Sequence, residues 1–142
     1  MSSGYTIAVA VGGIGSRTGY VIVAKRDGRR RTFGPHFIED GASMAADVWV
    51  ATYSGIVTAC RLKLAHDERR TIGVVLLGAV QALSRTDADA DPRPNVAAAA
   101  RAVAEARASV VWVRKHECAV MAAAHEELGR IADEVTRQEM FE

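Results

Sequence analysis

Apolar positions along the chain follow two rhythms, and the switches between them outline the elements. Thr6–Val11 is a short run rich in β-branched residues, the pattern of a strand covered on both faces. It ends in Gly12-Gly13-Ile14-Gly15-Ser16, which predicts a turn. Gly19–Lys25 and Arg31–Phe37 read as second and third strands. Between them stands Arg26-Asp27-Gly28, where Asp-Gly tolerates the positive φ of a hairpin turn. Pro35 has no amide hydrogen to give a ladder, so the third strand belongs at a sheet edge.

From Ser43, a candidate N-cap, to about Ala65 the rhythm changes. Trp49, Tyr53, Ile56, Cys60 and Leu64 recur at steps of three and four, one buried face of a helix. Val48-Trp49-Val50 would also suit a strand, and Gly55 weakens a helix by up to ~1 kcal/mol. Thr71–Leu77 is a continuous apolar run of the kind found in a central parallel strand. A short helical or irregular piece follows, then a polar loop over Ser84–Asn95. Asn95 is expected to cap an Ala-rich helix through Ala108, and Ser109–Val113 is a fifth strand. Val120–Arg137 closes the chain as a helix with an inward stripe of Met121, Ala124, Leu128, Ile131 and Val135. Glu126 and Arg130 can pair one turn apart on its surface. The predicted order is βββαβαβα, one domain over residues 1–142.

Composition narrows the function classes. The 142 residues are 49% hydrophobic and 25% charged, and 18 basic against 17 acidic side chains leave a net charge of +1. Attraction to nucleic acid is therefore absent from the bulk charge and has to come from a local patch. Cys60 and Cys118 stand far apart in apolar or helical contexts, as free thiols do in a reducing compartment. The N-terminus shows no basic region or cleavage pattern of a signal peptide, and no run approaches the ~20 apolar residues of a membrane helix. A cytoplasmic protein without a membrane partner is expected.

Three strands, a helix, then strand–helix–strand–helix is the element order of the RNase H-like fold, and short motifs add to the resemblance. Trp112-Val113-Arg114-Lys115-His116 resembles the family's W-V-K-G-H after the last strand. Counting on without a gap, Glu126-Glu127-Leu128 falls where the family often has D-E-L. Gly12-Gly13-Ile14-Gly15 resembles its glycine-containing first turn, and Gln81 a polar residue of its D-S-x pattern. The resemblance implies an α/β fold with a mixed five-stranded sheet and helices packed on it. It also implies carboxylates from the first strand, first helix, fourth strand and last helix, converging on two divalent metals that activate water and stabilise the leaving oxygen.

Carried over residue by residue, that acidic set is incomplete. The first-strand aspartate falls at Val11 or Gly12, and the fourth-strand one at Gly78 or Ala79. Asp47 stands for the first-helix glutamate and Glu126 for the last-helix aspartate. The family's mobile histidine falls near Cys118, close to His116. No Asp or Glu occurs in residues 1–26 or 69–86, so a slip of a residue or two does not restore the missing ligands. The resemblance thus implies a non-catalytic domain needing no cofactor. The alternative is a divergent nuclease using Asp47, Glu126 and Asp40 with Mg2+ or Mn2+.

Other chemistry is thinner. Lys25, Arg26, Arg29, Arg30 and Arg31 cluster about one hairpin turn, with Arg17 a candidate extension. These residues are the expected phosphate-contacting surface, against the plain alternative of a charged edge that resists edge-to-edge pairing. The glycine-rich first turn lacks the following helix that a dinucleotide site needs. His116, Cys118, His125 and Glu126 match no familiar zinc spacing, so no metal is expected there. Asp87, Asp89 and Asp91 alternate like the start of a calcium loop, but Pro92 and Ala98 replace its glycine and terminal glutamate. Expected partners are nucleic acid through the hairpin, a protein, or a second copy docking on an exposed apolar helix surface to make a homodimer.

Overall fold

The computed structural model describes residues 4–39, 43–64 and 69–141. Strands β1 (Tyr5–Ile14), β2 (Arg17–Arg26) and β3 (Arg29–Phe37) form an antiparallel meander. Helix α1 (Met44–Arg61) leads to β4 (Arg70–Val74), α2 (Leu77–Leu83), a short 3-10 turn (Ala88–Ala90), α3 (Val96–Ala106), β5 (Ser109–Trp112) and α4 (Ala119–Met140). The 5-stranded sheet has the order β3-β2-β1-β4-β5, with β4 parallel to β1 and β5 parallel to β4. This is the mixed sheet expected, with Pro35 on the edge strand.

Alternation in the strands sorts side chains onto two faces. Ile7 and Val9 of β1, Tyr20 and Ile22 of β2, and Ile72 and Val74 of β4 pack against α1, α2 and α3. Ala8, Ala10, Ile14, Val21 and Val23 face the opposite way, onto Val120, Met121, Ala124, Leu128 and Ile131 of α4. Both central strands are thus covered on both sides, as their unbroken apolar runs require. Gly55 has a packing reason: a Cβ there would collide with Val9 Cγ1, so its absence lets α1 lie close on β1.

Ser43 caps α1, its Oγ accepting the Ala46 amide at 3.1 Å. The other end stops at Arg61, short of the expected Ala65, which lies outside the described residues. There the Arg70 guanidinium donates to the carbonyls of Ala59 (2.8 Å), Cys60 (2.9 Å) and Leu62 (2.6 Å), satisfying the last turn from the start of β4. Tyr53, Ile56 and Cys60 are buried as predicted, whereas Trp49 is 36% exposed, its indole lying over Gly78 of α2. Both cysteines are free, and burial pushes the Cys60 thiol up to about 11.

Several boundaries differ from expectation, each for a hydrogen-bonding reason. β1 pairs through Gly12 and Gly13 to Ile14, so the first turn is only Gly15-Ser16. β4 ends at Val74, because its ladder with β1 stops at Gly73 and its ladder with β5 stops at Val74. The backbone beyond then turns into α2. Asn95 holds the N-cap position in the left-handed region (φ 67) with no side-chain cap bond, and only its carbonyl accepts, from the Ala99 amide. Arg130 pairs with Glu127 (2.9 Å) and Glu134 (3.5 Å) rather than Glu126.

Candidate functional site

The parallel ladder between β1 and β4 ends at Ala8 and Gly73, while β1 runs on to Ile14. A crevice of about 100 Å³ opens beyond that point, where β1, α1, the end of β4 and α4 meet. These are the four elements from which the resemblance draws its carboxylates. The lining is Val9 and Val11 from β1, Val48 and Thr52 from α1, Val74, Val75 and Leu76 at the end of β4, and His125 from α4. Thr52 Oγ1 is committed to the Val48 carbonyl at 2.8 Å. His125 Nδ1 lies 3.1 Å from the Met121 carbonyl, and burial lowers its pKa, which favours the neutral ring.

Val11 lines the crevice, and at the end of β4 Val74, Val75 and Leu76 do. Gly78 and Ala79 already belong to α2. Asp47 is buried in the first turn of α1 and Glu126 is exposed on α4, and neither lines the crevice. Asp40 lies outside the described residues. Among the described residues no group of three or more His, Cys, Asp and Glu could hold a metal ion, which covers the His116–Glu126 set. In the aspartate-rich loop, Asp91 takes two oxygens to Arg93 (2.6 and 2.9 Å), and this pairing lowers its pKa to about 2. His125 was missed as a lining residue. The signal was there: it stands four residues after Met121 and three before Leu128, on the inward stripe of α4.

The basic cluster lies at the other end of the sheet. Asp27 (φ 51) and Gly28 (φ 77) make the tight turn, setting Arg26 opposite Arg29, Lys25 opposite Arg30 and Ala24 opposite Arg31. Alternation then splits the cations. Arg26, Arg29 and Arg31 share the α1 side with Ala24, while Lys25 and Arg30 share the α4 side with Val23. Arg26 is held by Asp27 at 3.1 Å and lies over the Tyr5 ring at 5.8 Å, and Arg31 lies over Phe33 at 4.9 Å. Arg29 and Arg30 are exposed, and Lys25 is half-buried.

Arg17 does not extend this cluster. It begins β2 where Arg26 ends it, roughly 30 Å away at the usual rise per strand residue. It stacks on Phe37 at 4.4 Å, beside the turn that Glu139 grips through the Ser16 amide and hydroxyl. A further cavity of about 340 Å³ lies between α1 and the segment before α3, lined by Trp49, Tyr53, Arg93 and Pro94 among others. The buried Tyr53 hydroxyl beside it has no hydrogen-bond partner among the described residues.

The fold these elements define is the RNase H-like α/β fold, a mixed five-stranded sheet with helices on both faces. Among solved structures the chain is similar to LC11-RNase H1, an RNase H1 isolated from compost by a metagenomic approach. The TM-score is 0.59 at 13% identity, over 93% of this chain and 97% of that one. No protein-family model and no curated protein matches the sequence. No helix among the described residues is long and apolar enough to cross a membrane.

Proposed function

We propose that this chain is a non-cleaving RNase H-like domain that binds nucleic acid through the β2–β3 hairpin. The observation that carries the reading is the crevice: valines, a threonine and a low-pKa histidine stand where four elements meet. Hard divalent cations require several oxygen ligands, and the side chains of the lining offer one hydroxyl and no carboxylate. The hairpin supplies what the crevice lacks for a polyanion, namely exposed cations on a two-stranded ribbon.

Contacts made only to phosphates are tolerant of sequence and weaken as salt rises. Fluorescence anisotropy of a labelled random-sequence oligonucleotide, titrated across salt, tests the reading. The wild type is expected to bind with a clear salt slope, and the triple variant Arg29→Gln, Arg30→Gln, Arg31→Gln to lose most of it. An unchanged slope in that variant would dismiss the hairpin as the contact surface.

A second reading rests on the other edge of the sheet. Val111 and Trp112 of edge strand β5 stand exposed, as do Val75 and Leu77 on the neighbouring segment. An uncovered apolar edge strand is a template for pairing with another chain. Light scattering of Trp112→Arg against wild type separates the readings: a dimer lost on substitution supports assembly.

A further inference from the structure

We propose that Lys25 and Arg30 form a discrete phosphate subsite on the α4 side of the sheet, in the cavity between the hairpin and the first turn of α4. The inference rests on the nucleic-acid reading above but narrows it to one face and one pair of residues. Lys25 and Arg30 are directly opposite each other across the ladder. Like charges so placed destabilise a strand pair unless something offsets them. Neither has an ion-pair or hydrogen-bond partner among the described residues, whereas Arg26 is held by Asp27 and Arg31 lies over Phe33.

The two cations do not simply splay into solvent. With Gly28, Ala119 and Val120 they line a cavity of about 290 Å³, and Lys25 is half-buried in it. The far wall adds no counter-charge, since the first turn of α4 has no acidic residue. A concave space with two uncompensated cations, closed on one side by small and apolar residues, suits a compact dianion or monoanion rich in acceptor oxygens. Phosphate has that chemistry, as a diester in a nucleic-acid backbone or as a free phosphate compound. Arg29 and Arg31, on the other side of the ribbon, are left as weaker general attractors.

The test compares two double variants of the whole chain, Lys25→Gln/Arg30→Gln and Arg29→Gln/Arg31→Gln, with two probes. One probe is the labelled oligonucleotide across salt; the other is inorganic phosphate, followed by the amide NMR shifts of Gly28, Ala119 and Val120. The expected result is that the first variant weakens oligonucleotide binding at least tenfold and lowers the salt slope by about one, the value for one neutralised phosphate. The second variant changes binding less. Phosphate shifts the three amides in wild type and not in the first variant.

That first variant is also expected to melt no lower than wild type, because it removes a like-charge pair. Equal losses in both variants, or a larger loss in the second, would overturn the subsite while leaving hairpin binding of nucleic acid intact. Amide shifts with phosphate but no oligonucleotide binding would keep the subsite, assign it a free phosphate compound and remove the nucleic-acid reading. Silence with both probes would overturn the subsite.

Discussion

Strand β2 joins two regions with opposite solutions for charge. At one end of the sheet, β1 and β4 part over a crevice of valines and a low-pKa His125, enclosed by α1 and α4. At the other end, the β2–β3 ribbon carries exposed Arg29, Arg30 and Arg31. Carboxylates at the enclosed end would have to be offset by metal, by hydrogen bonds or by protonation. Cations at the open end stay hydrated and cost little until a polyanion displaces that water. The helices and strands around the enclosed end are fixed by their own packing and ladders, and apolar side chains fill most of its lining.

The largest effect comes from putting charge into the enclosed end. Val9→Asp buries a carboxylate at a position 2% exposed and is expected to cost about 3–5 kcal/mol at neutral pH in chemical denaturation. The raised folded-state pKa makes that penalty grow as pH climbs from about 4, so the variant should approach wild type in acid. Arg30→Asp at the open end is expected to stay within about 0.5 kcal/mol. Comparable losses at the two sites would break the contrast.

Gly55→Ala comes next. Its Cβ meets Val9 Cγ1 beneath the crevice, and overpacking of about 1–3 kcal/mol outweighs the ~1 kcal/mol of helix propensity gained. A raised melting temperature would mean that α1 is free to lift from β1. The smallest effect is the titration of His125. Its folded pKa is lowered, chiefly by burial, so the unfolded chain takes the proton first. Stability is expected to be level above the ordinary histidine range. It should fall as pH drops from about 6.5 through the folded value, and His125→Gln should remove that slope.

How much of this was legible in the sequence depends on what sets each feature. The first hairpins were readable because Asp27-Gly28 and the runs Ile7–Ala10 and Val21–Ala24 carry local signals, and so was the inward stripe of α4. The end of β4 was not, since the apolar run continues to Leu77 while the ladders stop at Gly73 and Val74. That single boundary sets Val74–Leu76 at the crevice and leaves Gly78 and Ala79 in α2.

The absence of acids before residue 27 was plain from the sequence, and Val9 and Val11 line the crevice from that strand. The distance from Arg17 to the hairpin was concealed by counting turns instead of strand lengths. The split of the cations between two faces needed only the alternation of β2 and β3, but the cavity that singles out Lys25 and Arg30 depends on α4, which arrives from 90 residues later in the chain.

The most direct test of the central claim is incubation of the protein with a labelled RNA–DNA hybrid in Mg2+ or Mn2+, recording cleavage and retained binding in the same tubes at low and moderate salt. The account predicts intact hybrid and binding that weakens with salt. Cleavage that Asp47→Asn or Glu126→Gln abolishes would contradict it and assign the chain a metal-dependent nuclease activity.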